Sequence, residues 1–567
     1  MIMKANKQIG FIYKDDESID RILKDGDVVF ERGFLREKTS TTLPITFDGV
    51  GKDLKDYKIY GNTVQNGTPT PDAPIDMVSC GDMTKNLIGF EDLPETTSNG
   101  VTYSIKDNVF TLNGTATDNI RYIYNNKYHL GNGGNYTLKI EVISGSWTAG
   151  AIGLSSRSST NTQVRFTQLG YNISNLTTTK NYSNTEIQET AAIGFFINSG
   201  SVFNNFKFRI IFNEGSTDIP YEPYGYKIPV NVRSDNLFDI NWYFDNCVTH
   251  NCSKELLENS IKISFTAGAD AYIGEARNSS VGTTPAIQDI AIGVKNNTQY
   301  TFIASSLPRC YITYMDKNYD ILNSSYIRFD SSYTKSSYTF TTPENCKYVA
   351  FRMGIQDNEY TEWTFGDIQL VEGSTVPSKY IPYYNETTNI YLDKPLRKIG
   401  DYSDYIDFIN SKVVKNIGSK VYNGSENGWY ISGKSAKIRL SDAGLINISN
   451  LYNYSESLGN VAFCNYFKQE IPQTLYTAGS LRVDIGFGIA VNPSTSSGLF
   501  FANNISSLND FKEWLSANNV TVDYVLETPT EEDIELPNIP TIDGNNTLNI
   551  ETEITPSEVY IKYKSNE

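Results

Sequence analysis

One phrase in this chain is used twice. Glu214-Gly215-Ser216-Thr217, followed by Tyr221-Glu222-Pro223-Tyr224, returns as Glu372-Gly373-Ser374-Thr375 followed by Tyr380-Ile381-Pro382-Tyr383. Each copy follows a hydrophobic run, 208–212 in the first and 365–371 in the second. An opening repeats as well, Asn86-Leu87-Ile88 and Asn236-Leu237-Phe238. The openings stand 150 residues apart and the closings 158. Offsets that nearly agree indicate one module used twice, with a small insertion in the second copy.

The modules span 86–228 and 236–386, between an N-terminal region, 1–85, and a C-terminal region, 387–567. Strand candidates in the first module are 109–112, 121–124, 136–143, 192–197 and 206–212. Their counterparts in the second are 261–265, 271–274, 300–304, 348–353 and 365–371. Short strands divided by Asn, Gly and Ser turns indicate an antiparallel β-sandwich. The Tyr-x-Pro-Tyr runs are expected to pack rings against the sandwich ends. The fold class expected is therefore mostly β and multidomain. Two tandem sandwiches lie between a β adaptor and a C-terminal β-rich domain with one helix. Composition agrees: Tyr is abundant at 39 residues, and charged residues make up only 20%. Tyrosine suits half-buried pleated surfaces, with its ring packed and its hydroxyl wet.

In the flanks, Asp25-Gly26 suggests a hairpin turn between strands near 19–23 and 28–31, with a short helix over 16–23 as the competing reading. Further strands are expected over 43–47 and 57–60. Near the C-terminus, Ser507 and Asp510 suit the start of a helix over 508–518, with Phe511, Trp514 and Leu515 on one face. Two last strands are expected over 547–554 and 558–563.

Net charge is −17. An open face for nucleic acid needs clustered Lys and Arg, so neither DNA nor RNA is an expected partner. No apolar run approaches the ~20 residues of a helical membrane span, so membrane insertion is not expected. The first residues show no apolar segment of a secretory signal. Six cysteines in 567 residues are too sparse for a disulfide scaffold.

Histidine is nearly absent. Neither His129 nor His250 lies near a Gly-x-Ser-x-Gly elbow, so a hydrolytic triad is not expected. His129 sits beside Gly131-Asn132-Gly133-Gly134, read as a hairpin turn. Cys247, His250 and Cys252 form the sharpest local cluster and could contribute to zinc, although their spacing matches no common zinc signature. Calcium in the sandwiches would need oxygen ligands from loops that sequence does not bring together. No cofactor is expected. Carboxylates cluster at Asp15, Asp16 and Glu17, at Asp401, Asp404 and Asp407, and at Glu531, Glu532 and Asp533. A glycosidase needs two carboxyls facing each other across a cleft, whereas an acidic chain carries such clusters in turns anyway.

Sugar binding is the better-supported chemistry. Sugars present C–H faces that stack on aromatic rings, and hydroxyls that pair with Asn, Asp and Gln. The alternation Arg121-Tyr122-Ile123-Tyr124 places Tyr122 and Tyr124 on one face. Tyr272 takes a similar place in the second module, and Trp147 lies in a glycine-flanked stretch read as an exposed loop. The competing role for these rings is core packing or subunit contact.

The stretch Tyr60 to Gly81 followed by Lys85-Asn86-Leu87, with Arg36-Glu37-Lys38-Thr39 before it, resembles a segment recurrent in tail and minor structural proteins of phages infecting Gram-positive bacteria. So do 402–408, 511–515, and Thr528-Pro529-Thr530 with Ile534-Glu535-Leu536-Pro537. The two modules are similar to jelly-roll carbohydrate-binding modules. The resemblance implies a virion part at the tail tip, baseplate or a fibre, assembled with other virion proteins and released by lysis. It implies attachment, with a host cell-surface glycan as partner, and no catalytic activity. Particle symmetry further implies a homo-oligomer, a trimer being one such arrangement. The rival readings are a purely architectural tail or head component and a glycan depolymerase.

Overall fold

The structure is a computed structural model. It describes residues 34–565 apart from 55, 71, 126, 161–162, 171–175, 269, 275–286, 306–308, 329–336, 357–360, 433–434, 439–461, 467, 470–487, 493–496, 503–506 and 519, and only short strand segments before 34. The fold is all-β and multidomain, built from jelly-roll-like sandwiches.

Each duplicated module is a sandwich. In the first, a six-stranded sheet faces a four-stranded one, and Phe110, Leu138, Phe208 and Ile210 from one meet Ile152, Leu154, Phe195 and Ile197 from the other. In the second, five strands face six, with Ile261, Phe302, Phe365 and Leu370 packed against Ile273, Ile312, Phe351 and Met353. All ten expected strands are present, several of them longer than expected, such as Gly134–Ala149 and Val202–Glu214. Strands Ala151–Arg157 and Arg309–Met315 were not anticipated. The former reads Ala-Ile-Gly-Leu-Ser-Ser-Arg, whose small residues are buried on both sides and show no polar-apolar alternation.

The duplication is legible atom by atom. Asn86 and Asn236 are both buried. Asn86 Oδ1 accepts from Phe212 N at 3.0 Å, and Asn236 Oδ1 accepts from Leu370 N at 3.0 Å. Each Nδ2 donates to a carbonyl of the same closing strand, Ile210 or Ile368. The opening asparagine thus ties the start of each module to its end. Thr137 and Thr301 Oγ1 donate to the carbonyls of Gly215 and Gly373 at 2.8 and 2.7 Å. Those glycines have φ of +99° and +95°, a region costly for residues with a Cβ. The repeated Glu-Gly is therefore a turn requirement.

The flanking regions regroup. Tyr405–Asp407 and Glu558–Ser565 both pair with Asp56–Tyr60, and Glu558–Ser565 also pairs with Phe34–Ser40. Asp543–Ile550 pairs with Ile45–Val50. The stretches expected as an N-terminal adaptor and a separate C-terminal domain thus share two sheets and one core, in which Tyr57, Ile59, Val230, Ile390, Ile406 and Ile561 are fully buried. Strands Tyr226–Ser234 and Asn385–Leu392, which follow the two modules, lie side by side in this central sandwich. Both modules are therefore insertions into one host domain, each leaving it and returning to it.

Arg21–Lys24 pairs with Asp27–Glu31, in line with the hairpin reading, and the described residues of the competing helix range, 17–18 and 21–23, lie in strands. Helix Leu508–Asn518 forms where expected, with Asp510 N donating to Ser507 Oγ and Phe511 and Leu515 buried.

Candidate functional site

Alternation along the outer sheet of the second sandwich sorts its side chains. In Tyr348–Gln356, Val349, Phe351, Met353 and Ile355 point into the core, so Arg352 and Gly354 face outward. In Arg309–Met315, Cys310, Ile312 and Tyr314 point inward, so Tyr311 faces outward opposite Arg352. Tyr272 lies outward opposite Gly354, and His250 outward opposite Tyr272.

These four side chains form a continuous row. The His250 and Tyr272 rings stack with centroids 4.5 Å apart and planes 19° apart. The Arg352 guanidinium lies 5.0 Å from the Tyr272 centroid and 4.1 Å from that of Tyr311. Rings held against a cation gain about 0.5–1 kcal/mol each at exposed sites and are fixed in orientation. Gly354 makes the row possible, because a Cβ there would come within 2.7 Å of Tyr272 Cβ. Asn251 adds an exposed amide, its Nδ2 3.1 Å from His250 Nε2 and 3.2 Å from the Asp270 carbonyl. Tyr272 is itself buried between His250 and Arg352, so what the row exposes as a platform is the His250 ring and the Asn251 amide, with Arg352 and Tyr311 partly exposed beside them.

The other candidates fall elsewhere. Trp147 is in the strand Gly134–Ala149, not in a loop. Its ring is half-buried against Phe203 and Phe206, and its Nε1 donates to the Ala149 carbonyl at 2.7 Å. It packs, because the strand runs on past the glycine to pair with Phe203. Tyr122 and Tyr124 lie in strand Ile120–Asn125. The pairing skips from Arg121 to Ile123, so the regular alternation expected there is interrupted by a bulge at Tyr122. Their side chains lie outside the described residues.

Cys247, His250 and Cys252 do not converge. Cys247 is buried in the core cluster, where burial pushes its thiol up and Lys254 Nζ donates to its carbonyl at 2.8 Å. Cys252 Sγ donates to the Tyr272 carbonyl, and His250 stands on the outer face. Among the described residues no group of three His, Cys, Asp or Glu side chains is placed to hold a metal ion.

Several of the clustered acids that are described have partners within the fold. Asp404 is buried and accepts from the backbone N–H groups of Arg397, Asn416 and Ile417, while Arg397 also reaches Asp523 at 3.3 Å. Asp407 pairs with Lys58, Glu531 with Lys412 and Glu532 with Lys415. Asp15 and Asp16 lie outside the described residues.

Sequence reasoning found Tyr272 and named His250 for another role. It missed Arg352 and Tyr311. Alternation marked neither, because the strand around Arg352 reads as a hydrophobic run and that around Tyr311 as mixed.

No family model matches this sequence, and no curated protein matches it. Among solved structures, the chain is similar to the tandem CBM22-1–CBM22-2 domain of Paenibacillus barcinonensis Xyn10C. The match is 9% identical and covers 52% of this chain and 98% of that one, at a TM-score of 0.22. It is also similar to the PBSX exported protein XepA, at 10% identity over 52% of this chain and 90% of that one, with a TM-score of 0.14. TM-scores this low carry no argument about fold or function.

Proposed function

We propose that the chain is a virion protein of a phage tail tip, baseplate or fibre, and that the second sandwich grips a host-surface glycan. The observation that carries the binding half is the row His250–Tyr272–Arg352–Tyr311 on one outer sheet face. Sugar C–H faces stack on such rings, while the guanidinium edge and the Asn251 amide serve hydroxyl or acidic oxygens. The virion half is supported by the sequence resemblance of the flanking regions, which together form the host domain. Binding without bond cleavage is the expected activity, other virion proteins and further copies of the chain are the expected partners, and no cofactor is required.

The test is titration calorimetry against cell-wall polysaccharides purified from Gram-positive bacteria, with wild type and a Tyr311→Ala, Arg352→Gln variant. Binding by the wild type, weakened at least tenfold in the variant, supports the reading. Binding that is unchanged in the variant removes the platform from it. No binding to any host polysaccharide favours the architectural role. Release of new reducing ends favours the depolymerase.

A further inference from the structure

The two sandwiches differ most at their roots, where each joins the central domain. Backbone hydrogen bonds fix the correspondence. Thr84 N donates to the Gly225 carbonyl in the first, and Ser234 N to the Tyr384 carbonyl in the second. Gly131 N donates to Tyr136 Oη, and Lys295 N to Tyr300 Oη. By these anchors Gly89 corresponds to Asp239, His129 to Gly293, and Tyr224 to Tyr383.

In the first sandwich the three positions fill one another. The His129 ring stacks on Tyr224 at 5.1 Å, and Tyr224 lies so close over Gly89 that a Cβ there would be 2.8 Å from the tyrosine. Burial pushes the Tyr224 hydroxyl up to about 12 and the His129 imidazole down. In the second sandwich the ring that would cover Tyr383 is replaced by Gly293, and a Cβ placed on Gly293 would meet nothing within 4 Å. Asp239 stands where Gly89 admitted the tyrosine, and helix Ile240–Asn246 brings Trp242 to the same place. The result is a cavity of about 430 Å³ lined by Arg233, Asp239, Trp242, Tyr383, Tyr384 and Asn385 among others.

We infer that this cavity is a second ligand site, distinct from the platform, for a short saccharide of one or two rings. Its volume lies within the roughly 300–1,000 Å³ of small-molecule sites, which also favour domain junctions. Three aromatic side chains offer ring faces, and a guanidinium, a carboxylate and an amide offer hydroxyl partners. The first module closes the equivalent space with an imidazole, so nothing in the shared fold requires the cavity. Because strand Tyr226–Ser234 supplies Arg233 and the second sandwich supplies Trp242, an occupant would touch both the host domain and the insertion.

The inference is tested by saturation-transfer NMR and calorimetry on the full chain with glucose, galactose, N-acetylglucosamine, rhamnose, lactose and cellobiose. Gly293→His restores the side chain that fills the first root, and Trp242→Ala with Asp239→Asn disarms the cavity without filling it. Near-UV circular dichroism identifies any variant that has lost its fold. The expected result is saturation transfer to at least one sugar in the wild type. The Kd should rise at least tenfold in each correctly folded root variant and stay within twofold in the Tyr311→Ala, Arg352→Gln variant. The inference is overturned if no sugar shows transfer, if the root variants bind as the wild type does, or if only the platform variant loses binding.

Discussion

The two sandwiches share a frame and differ in what they leave open. Buried asparagines, paired threonines and left-handed glycines occupy matching places in both. In the second sandwich, an outer sheet face carries the stacked row and the root holds a cavity. In the first, the root is filled by His129 and Tyr224, and the outward Phe196 ring lies over Gly153. Duplication thus preserved the residues that close the module and released those that do not.

The largest expected effect tests the shared frame. Asn86→Ala and Asn236→Ala each strand a buried amide and a buried carbonyl at a cost of about 1–3 kcal/mol per group. Each substitution should therefore cost its own sandwich about 2–6 kcal/mol, read as a lowered transition in differential scanning calorimetry. Effects that differ by more than twofold would show that the two asparagines do different work.

A smaller effect tests the filled root. His129→Gly copies Gly293 into the first sandwich and removes a half-buried ring, for about 1–3 kcal/mol. The same calorimetry should show the first sandwich destabilised and the second unmoved. If both transitions shift together, the modules do not unfold as separate insertions.

On the outer face, Tyr311→Ala alone should weaken glycan binding about tenfold, near 1.4 kcal/mol, and leave stability within about 0.5 kcal/mol. Loss of stability without loss of affinity would return the row to a packing role.

The smallest effect is a titration. Burial holds the His129 imidazole below the ordinary value of about 6.5, so the folded sandwich favours the neutral ring. The stability tied to that neutral ring is fully present above about pH 6.5. It is lost as pH falls toward the lowered folded value, because the unfolded chain takes up the proton first. With two histidines in the chain, ring-proton NMR can follow each curve, and His129→Gln assigns the His129 curve by its disappearance. A curve for His129 at or above 6.5 would mean that its ring is solvated and the root is not filled.

Much of the fold could be read without coordinates. Asn86 and Asn236, with the two Glu-Gly-Ser-Thr closings, marked both modules, because a buried asparagine and a left-handed glycine leave few alternatives at their positions. Strands with polar-apolar alternation were found, whereas Ala151–Arg157, buried on both sides with small residues, carried no such signal. The site was read less well. Tyr272 had been singled out, but Trp147 proved to be packed, and Arg352 stands 80 residues from Tyr272 and 41 from Tyr311, with no local pattern to link them.

Local chemistry in the sequence determined the duplicated unit, its turns, the capped helix Leu508–Asn518 and the net negative charge. Those features depend on neighbouring residues and on backbone conformations that particular side chains favour. Tertiary structure alone decided that strands Phe34–Ser40, Ile45–Val50 and Asp56–Tyr60 share sheets with Tyr405–Asp407, Asp543–Ile550 and Glu558–Ser565, and that His250, Tyr272, Arg352 and Tyr311 stand in a row. It also decided that a cavity stands open at Gly293. Strand pairing over hundreds of residues is set by which hydrophobic faces can be buried together, and no window of sequence contains both partners.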